Sequence, residues 1–424
     1  MLDPRSLRER RDEIVESCRR RRVRADVDAA IAEQERLNAL LTEQNELNRQ
    51  RNEHQKSGKQ KLDDAARAAH GETGRRFKEQ SALLEERVRE QQAAVEARLL
   101  ELPNLIHPDV PDGGEADFRV VKAGVPKKFD FEPLDHLALC EKHDLVDFAT
   151  GARVAGQKWY YLKNEATLLD LALQRFALDV LLAEGFTAVT TPDVARPEVI
   201  RNLGYNPRGD ETQIYSIADH DLCLVGTAEI TLGGMLADQI VDEADLPIRL
   251  AGVSHCFRTE AGSHGRESRG LYRVHQFTKT EMFVFCRPED SDAQLEALRA
   301  LEERIFDALE IPYQVIDVAS ADLGAPAYRK YDLEAWMPGR GEGGSFGEVT
   351  SASNCTDFQA RRLASRFRRE GSKKPEILHT LNGTAISNAR AILALLEIHQ
   401  QADGTIAIPK ALVPYMGRDR IGSP

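Results

Sequence analysis

The first quarter of the chain can form helices and little else. Residues 27–102 contain no proline and are rich in Glu, Gln, Arg, Ala and Leu, which are good helix formers. Apolar residues recur at heptad-compatible positions in the second half of the segment, and a looser apolar stripe runs through the first half. Because both stripes are too thin for a globular core, they predict two helices paired as an antiparallel coiled-coil hairpin. The break between them is predicted from Ser57 and Gly58 to Gly71 and Gly74.

The length of the hairpin leaves its purpose open. Helices of nearly 30 residues would be about 40 Å long, at about 1.5 Å per residue. An arm of that length can be structural, can space two subunits, or can reach a distant part of a large partner. The sequence of the arm does not choose between these roles.

The balance of charge also separates this segment from the rest. The chain carries 57 Lys and Arg against 69 Asp and Glu, a formal net charge of −12. Residues 1–102 hold 22 basic and 21 acidic side chains, so the acidity lies in the remainder. This balance excludes a protein coated with basic surface, but nucleic-acid binding depends on where the positive charges lie. The run from Arg19 to Arg22 can be such a site or simply a solvated helix face.

A boundary follows the helical segment. Prolines and paired glycines punctuate the chain after Leu102, and from about residue 130 the pattern becomes one of strands, helices and glycine-rich turns. This pattern predicts an α+β globular domain. We therefore divide the chain into a helical arm (1–102), a linker (103–129) and a globular domain (130–424).

Neither a membrane nor an oxidising compartment is indicated. No stretch approaches the roughly 20 apolar residues that span a bilayer, and the N-terminus lacks the apolar middle of a signal peptide. The six cysteines lie too far apart for a CxxC zinc site or redox pair, which predicts buried free thiols. The expectation is a soluble protein of the cytoplasm without a membrane partner.

Two segments with strand character concentrate charged and aromatic residues. Residues 248–260 and 271–286 are both predicted strands, joined by the polar turn AGSHGRESRG. Since strand side chains alternate between faces, Arg258 and Glu260 are expected to point the same way. The same rule gives the second strand one shared face: Phe277, Lys279, Glu281 and Phe283. An arginine fork suits phosphate and an aromatic face suits adenine, although a salt-bridged hairpin would have the same pattern.

Two further segments favour a site for ATP and magnesium. An extended stretch of small residues places Glu348 beside the hydroxyls of Thr350 and Ser351, a set that suits Mg²⁺ bound jointly to a nucleotide phosphate. Residues 381–400 begin with a glycine turn and continue as a helix with Arg390 in its first turn. A helix N-terminus that carries an arginine is a favourable anion site.

Taken together, these segments resemble a known family. Three class II synthetase signatures occur in order: a helix and strand ending at Pro192, the segment Phe257-Arg258-x-Glu260, and the glycine-led helix that carries Arg390. Three strings match the seryl branch: Thr227-Ala228-Glu229, FRTEAGSHGRESRGLYRVHQFTKTEM and EVTSASNCTDFQARR. Along essentially its whole length the chain resembles seryl-tRNA synthetases of the bacterial and organellar type, which also carry an N-terminal coiled-coil arm.

The resemblance implies a fold and an activity. The fold would be a class II synthetase antiparallel β-sheet flanked by helices, in a homodimer built partly through the first signature. The activity would be that of a serine–tRNA ligase, which converts ATP to AMP and pyrophosphate while loading serine onto the 3′ end of tRNA(Ser). The arm would reach the long variable arm of that tRNA, and whether tRNA(Sec) is also charged stays open.

The resemblance also assigns residues. Arg258, Glu348 and Arg390 would be catalytic, with Arg258 on the α-phosphate, Arg390 on the γ-phosphate, and Mg²⁺ held by Glu348 and Ser351. The ATP site would be formed by Arg258, Thr259, Glu260, Val274, Phe277, Glu348, Val349, Thr350, Ser351 and Arg390. The serine site would be formed by Thr227, Ala228, Glu229, Glu281 and Thr384. The sequence departs from many relatives at Gly226, Thr384 and Ser387-Asn388-Ala389.

Two other functions are compatible with parts of this sequence. A paralogue that passes serine to a carrier protein or small molecule would lack the arm, which is present here. A non-catalytic RNA-binding or scaffolding protein would have lost some catalytic charges, whereas all five stand in place: Arg258, Glu260, Glu281, Glu348 and Arg390.

Overall fold

A computed structural model describes residues 1–58, 63–205, 213–260 and 270–423. The chain forms two compact units, Met1–Leu105 and Ile106–Pro424. Among the described residues, no helix is both long enough and apolar enough to cross a membrane.

Three helices are described in the first unit. They are α1 (Arg11–Arg20), α2 (Val27–Ser57) and α3 (Asp64–Glu101). Each of the two long helices begins at an aspartate cap: the side chain of Asp26 accepts from the amide of Ala29, and that of Asp63 accepts from the amide of Ala66. Such caps satisfy amide groups that have no partner within the helix.

The helices α2 and α3 pair as an antiparallel hairpin, as the sequence predicts. Near one end Gln91 Nε2 donates to Glu33 Oε2 at 2.7 Å, and near the other the rings of His54 and His70 stack with centroids 3.7 Å apart. The buried side of α3 follows a narrow apolar seam: Leu84, Val88, Val95 and Leu99. Leu84, Val88 and Val95 are at the heptad-compatible positions of the sequence, whereas Leu99 is not.

The predicted break in the hairpin was placed too far along the chain. Gly71 and Gly74 lie inside α3 rather than in the turn, which falls between Ser57 and Asp64. A glycine costs a helix only about 1 kcal/mol, and good helix formers on both sides offset that cost. Residues 59–62, which separate the two helices in the sequence, lie outside the described part of the chain.

Nine helices and seventeen strands are described in the second unit. The helices are α4 (His136–Lys142), α5 (Phe148–Ala155), α6 (Asn164–Ala183), α7 (Pro197–Asn202), α8 (Ala228–Gly234), α9 (Ser291–Ala308), α10 (Phe358–Leu363), α11 (Asn388–His399) and α12 (Val413–Met416). The strands up to the middle of the unit are β1 (Arg119–Lys122), β2 (Val146–Asp147), β3 (Tyr161–Leu162), β4 (Thr187–Thr190), β5 (Val194–Ala195), β6 (Cys223–Leu224), β7 (Ile240–Asp242), β8 (Ile248–Phe257) and β9 (Gln276–Cys286). The remaining strands are β10 (Tyr313–Asp317), β11 (Arg329–Met337), β12 (Ser345–Thr356), β13 (Arg366–Arg368), β14 (Glu376–Ile377), β15 (His379–Ser387), β16 (Ile406–Ala407) and β17 (Arg420–Ile421).

Eight of these strands form one sheet, in the order β1-β10-β11-β12-β15-β9-β8-β4. Neighbouring strands run antiparallel except β4, which pairs parallel to β8 at the edge. Alternating side chains of β9 pack into different cores on the two faces. Met282 and Val284 belong to the core that includes α6, α9 and α11, whereas Phe283 and Phe285 pack with α8 and α10. The α+β class and the antiparallel sheet are confirmed.

The two strands that carry the second signature are shorter than predicted. They end at Phe257 and begin at Gln276, and they pair with Cys256 opposite Phe277 and Gly252 opposite Glu281. Glu260 has a backbone φ of +50°. Strand alternation therefore does not relate Arg258 to Glu260, and the prediction that the strand extends to residue 260 was wrong. The turn residues 261–269 lie outside the described part of the chain.

The six cysteines are all free and buried, as predicted. Burial raises the pKa of Cys140 and of Cys286 to about 12, so both remain neutral thiols at physiological pH.

A fully buried carboxyl, that of Glu302 on α9, contacts the central sheet. It lies 1% exposed, and its Oε2 accepts from Thr350 Oγ1 at 3.0 Å. A Cβ at Gly383 of β15 would meet Glu302 Oε1 at 3.2 Å, so the glycine lets α9 approach the sheet closely. Burial raises the pKa of Glu302 well above its usual value, and the negative charges of Asp332 and Glu281 add to this effect. The neutral acid is therefore the form that fits the fold.

We predict that Glu302→Gln stabilises the protein increasingly as pH rises. Because the folded-state pKa is raised, the contribution of Glu302 is favourable below its ordinary value of about 4.5 and is lost as pH rises toward the folded-state pKa. Glutamine resembles the neutral acid and does not ionise. Melting temperatures of both proteins, compared from about pH 5 to about pH 8, should diverge toward the alkaline end.

The matched control is the neighbouring Glu303→Gln. Glu303 forms ion pairs with Lys122 and Arg299 at the outer side of α9. Glu303→Gln removes one member of these ion pairs. The melting temperature of this variant, relative to that of the wild type, should therefore not increase as pH rises. A difference between wild type and Glu302→Gln that is constant across the pH range would contradict the prediction.

Candidate active site

An open cleft lies where β8, β9, β12 and β15 meet the first turn of α11. It has about 530 Å³ of empty volume. Most residues predicted to bind ATP line it: Arg258, Glu260, Val274, Phe277, the four residues 348–351, and Arg390. Thr259 is next to the cleft in sequence, and its amide donates to the carbonyl of Gln213 at 3.1 Å. The structure thus brings together three segments that are far apart in the chain.

Arg258 is held on one side of the cleft by two neighbours. Its Nε donates to the carbonyl of Gly226 at 3.3 Å, and its guanidinium lies 5.4 Å from the centre of the Phe277 ring. Gly226 is one of the positions where the sequence departs from many relatives, and here it supplies the carbonyl that orients the arginine. An arginine beside an aromatic face presents charge and an apolar surface to the same ligand.

A β-bulge at Val349 decides which side chains of β12 face the cleft. Thr350 lies opposite Leu333 and Glu348 lies opposite Glu334, so Val349 is an extra residue in the pairing. The bulge places Glu348 and Ser351, which are three residues apart, on one face of the strand. Thr350 borders the cleft, but its hydroxyl donates to Glu302 on the other face. Thr350 can therefore offer a ligand in the cleft only its backbone.

Arg390 and Glu348 form the charged centre of the cleft. Arg390 Nη1 donates to the Glu348 carbonyl at 2.9 Å and lies 3.3 Å from Glu348 Oε1. Its guanidinium also lies 4.6 Å from the ring centre of Tyr272. Burial by itself would raise the pKa of Glu348, but the positive charges of Arg390, Lys330 and Arg258 lower it below its usual value. The carboxylate stays ionised and 42% exposed, free to meet a cation.

The first turn of α11, which carries Arg390, is hydrogen-bonded to α6. Asn388 Nδ2 donates to Asp170 Oδ1 at 2.7 Å and to the Asp170 carbonyl at 2.9 Å. This contact lies within the Ser387-Asn388-Ala389 segment, another departure from many relatives. Arg390 is in the first turn of α11, as predicted.

Sequence reasoning missed several residues of the cleft. Tyr272 has the guanidinium of Arg340 4.5 Å from its ring centre, in addition to that of Arg390, and Arg273 lies 3.5 Å from Glu260. Lys279 was placed on the correct face but received no role. Tyr272 and Arg273 lie outside any regular strand, and Arg340 follows β11, so no periodic pattern in the sequence could have indicated them.

Glu281 is a buried acid at the inner end of the cleft. It is 1% exposed, forms an ion pair with Lys279, and lies across the strand pair from Thr384, whose Oγ1 is 3.5 Å from Glu281 Oε2. Burial raises the pKa of Glu281 to about 7, against the lowering effect of the Lys279 charge. Of this group, Lys279 and Thr384 line the cleft, and Glu281 lies directly behind them.

The remaining predicted residues lie at the N-terminus of α8. Thr227 caps the helix, with its hydroxyl accepting from the amide of Glu229 at 3.2 Å. Ala228 packs its methyl group into the core with Leu250 and Phe283, so it can offer a ligand only backbone. Glu229 is 5% exposed and accepts hydrogen bonds from three neighbours: Tyr205, Gln359 and Asn382. None of these three neighbours was identified from the sequence.

The sequence matches two family models and many curated proteins. Residues 1–106 match the seryl-tRNA synthetase N-terminal domain, and residues 214–399 match the tRNA synthetase class II core domain (G, H, P, S and T). The chain is 54% identical to the serine–tRNA ligase of Rhodopirellula baltica over 427 residues, which cover 99% of each chain. It is 48% identical over 424 residues to that of Treponema denticola, which covers 100% of each.

Solved structures give the same match. Seryl-tRNA synthetase from Pyrococcus horikoshii, solved in complex with ATP, aligns with a TM-score of 0.90 at 39% identity, covering 99% of each chain. Prolyl-tRNA synthetase from Giardia lamblia aligns with a TM-score of 0.56 at 18% identity, covering 65% of this chain and 54% of that one. The second alignment shows a shared fold alone.

Proposed function

This chain belongs to the seryl-tRNA synthetase family, and we propose that its cleft binds ATP and serine and joins them before serine is passed to tRNA. It is a class II aminoacyl-tRNA synthetase, a serine–tRNA ligase that uses ATP. One observation carries the assignment of the cleft: two arginines, an aromatic ring and an ionised carboxylate surround one opening, with the buried acid Glu281 behind it.

The nucleotide would lie across the mouth of the cleft. The Arg258 guanidinium would meet the α-phosphate, and the Phe277 ring beside it would face the adenine. Arg390 would meet the γ-phosphate, because its position in the first turn of α11 adds the positive end of the helix dipole to its own charge. The remaining predicted ATP residues would bound the nucleotide through backbone or side-chain contacts: Thr259, Glu260, Val274, Val349 and Thr350.

The residues present fit a magnesium ion that is shared with the nucleotide. The described residues contain no group of three or more His, Cys, Asp or Glu side chains that could hold a metal by themselves. Mg²⁺ commonly takes one or two protein oxygens together with phosphates and water. The bulge gives such a pair, the ionised Glu348 and the Ser351 hydroxyl on one face. Bound there, Mg²⁺ would supply positive charge against the phosphates.

The chemistry needs no nucleophile from the protein. An oxygen of the serine carboxylate forms a bond to the α-phosphorus, the bond from that phosphorus to the bridging oxygen breaks, and pyrophosphate leaves. A terminal ribose hydroxyl of tRNA then attacks the seryl carbonyl carbon, and AMP leaves. Arg258 and Arg390 would align the two reactants and offset the negative charge that gathers around phosphorus.

The serine pocket would lie deeper, between Glu281, Thr384 and the start of α8. Glu281 and Thr384 would bond the serine hydroxyl, and Thr227 and Glu229 would hold its amino group. A pocket built to bond a hydroxyl leaves polar groups unpaired when alanine enters, and such sites discriminate by roughly 10⁴–10⁵. The burial of Glu281 supports this reading, because the cost of an unpaired acid is greatest where water is excluded.

We predict that ionisation of Glu281 controls the use of serine. Since its pKa is raised to about 7, kcat/KM for serine in pyrophosphate exchange should rise as pH increases through about 7, when the carboxylate becomes a full acceptor. Glu281→Gln, which does not titrate, should remove this rise. Glu281→Ala should lower serine activation by about two orders of magnitude or more, the effect of losing a buried charged partner.

The KM for ATP serves as the internal control for these variants. It should stay near the wild-type value, because Glu281 does not line the part of the cleft assigned to the nucleotide. Normal use of serine by Glu281→Ala would remove Glu281 from the site. A pH profile that Glu281→Gln leaves unchanged would assign the titration to another group.

The helices α2 and α3 would bind tRNA(Ser). They form a long paired arm with polar and charged outer faces, and the first unit has almost equal numbers of basic and acidic residues. A contact limited to particular faces suits recognition of RNA shape and backbone. The arm leaves the charging of tRNA(Sec) open. The cytoplasm, where tRNA is charged, is the proposed place of action.

We predict that removal of the arm separates the two half-reactions. The full chain, with ATP and magnesium, should load labelled serine onto bulk bacterial tRNA and should not load threonine or alanine. A chain in which residues 30–98 are replaced by a short linker should keep serine-dependent pyrophosphate exchange and lose most tRNA charging. Near-normal charging by the shortened chain would show that the arm has another role. Exchange without any charging by the full chain would favour transfer of serine to a different acceptor.

The outer face of α6 supports the proposed homodimer. Leu168, Leu171 and Leu182 are 40%, 57% and 46% exposed, and their spacing puts them on one side of the helix. The strand β4, which follows α6, is an edge of the eight-stranded sheet and has unpaired backbone groups on its outer side. An apolar helix face beside a sheet edge is the kind of surface that a second copy of the chain would cover.

We predict that a double substitution, Leu168→Glu with Leu171→Glu, converts a dimer into a monomer. The two carboxylates would be buried without partners in the dimer, at a cost that association does not offset. Sedimentation of the wild type should give twice the chain mass, and that of the variant should give the chain mass. Val125→Glu, at a valine that is 80% exposed and outside α6, is the control and should stay dimeric. A monomeric wild type, or a dimeric double variant, would reject this surface.

A further inference from the structure

The carboxylate of Glu229 is held by three hydrogen-bond donors from three separate segments of the chain. Tyr205 Oη donates to Glu229 Oε2 at 2.5 Å, while Gln359 Nε2 and Asn382 Nδ2 donate to Glu229 Oε1 at 2.8 Å and 3.0 Å. Asn382 lies on β15, Gln359 on α10, and Tyr205 just after α7. Burial raises the pKa of Tyr205 well above its usual value, so its hydroxyl keeps the proton that it donates.

Counting only donors in the described part of the chain, this arrangement leaves Glu229 one acceptor position. A carboxylate oxygen offers two lone pairs, so two donors fill Oε1 and one donor leaves a single lone pair on Oε2. A cation that approaches Glu229 in the pocket can therefore be bound in only one direction. The direction is decided by the donors rather than by Glu229 itself.

Gln359 is the donor whose own orientation is most completely fixed. It is 0% exposed, and its Oε1 accepts from Thr380 Oγ1 at 2.8 Å. Its Nε2 donates to the Leu203 carbonyl at 3.0 Å as well as to Glu229. Rotation of the amide by half a turn would bring its oxygen against both the carboxylate and the carbonyl, so the observed orientation has no alternative.

We propose that Gln359, oriented by Thr380, is a positioning residue that aims the free lone pair of Glu229 at the amino group of serine. This inference rests on the proposed role of Glu229 in the serine pocket. Gln359 is 0% exposed and is not among the residues that line the cleft, so it acts through Glu229. A glutamate at this position would put a second negative charge beside Glu229 at neutral pH, and a leucine would remove the donor.

The primary test is the pair Gln359→Leu and Gln359→Glu, assayed by serine-dependent pyrophosphate exchange. Gln359→Leu should raise the KM for serine about tenfold to a hundredfold, the effect of losing one hydrogen bond to a charged group. The KM for ATP should change less than about twofold, within the ordinary scatter of such effects. The KM for serine of Gln359→Glu, divided by the wild-type KM at the same pH, should fall as pH is lowered, because the protonated acid regains a donor; the ratio removes the effect of Glu281, which both proteins share. A purely structural role would not produce that pH dependence.

A second pair of variants tests the part played by Thr380. Valine has nearly the same shape as threonine but lacks the hydroxyl that orients Gln359. Thr380→Val should therefore raise the KM for serine by a smaller factor than Gln359→Leu does. Thr380→Ser restores the hydroxyl and should return the KM to the wild-type value. Leu363→Ala, a buried apolar change in α10, is the control for loosening of the helix: it should lower the melting temperature and leave the KM for serine unchanged.

The outcome for Glu229 separates this inference from the proposed function. Glu229→Gln should raise the KM for serine by itself, and adding Gln359→Leu to it should give no further rise, because Gln359 acts through Glu229. If Glu229→Gln leaves the KM for serine unchanged, the proposed serine pocket is wrong. If Glu229→Gln raises it while Gln359→Leu and Thr380→Val do not, the pocket stands and the positioning role of Gln359 is overturned. If Leu363→Ala and Thr380→Val raise the KM for serine by the same factor, the positioning role of Gln359 is also overturned.

Discussion

The pairing register of β9 with its two neighbours is the constraint on which the site depends. It places Glu281 opposite Gly252 of β8 and opposite Thr384 of β15. Because side chains alternate along a strand, a slip of one residue would turn Glu281 into the core with α6 and α11 and bring Met282 to the pocket. The apolar alternation of Met282, Phe283, Val284 and Phe285 fixes the register, since each face already has its own packing partners.

The bulge at Val349 is a local exception that serves the same site. Regular pairing would put Glu348 and Thr350 on one face, and both side chains would then point into the cleft. With the bulge, Glu348 meets Arg390 in the cleft and Thr350 meets Glu302 beneath the sheet. One extra residue thus satisfies a buried acid on one face and leaves an ionised, exposed carboxylate on the other.

Regular elements could be predicted from the sequence, and non-local contacts could not. The hairpin seam at Leu84 and Val88 followed from its period, and Arg390 followed from a glycine turn before an apolar helix. The end of β8 was placed three residues too late because it leaves no mark in the pattern. Gly71 was misplaced because propensity is a weak guide inside a long helix. Gln359 and Tyr205 lie 130 and 24 residues from Glu229. Only the fold brings them to it.

Two buried acids near the centre of the sheet, Glu281 and Glu302, affect each other's ionisation. Glu281 and Glu302 are each 1% exposed, and the charge of Glu281 contributes to the raised pKa of Glu302. Lys279 forms its ion pair with Glu281, whereas Glu302 has a threonine hydroxyl. When two close acids differ in this way, the one beside the cation ionises first and opposes ionisation of the other. An ionised Glu281 therefore favours the neutral form of Glu302, and the hydrogen bond from Thr350 holds that neutral acid between α9 and the sheet.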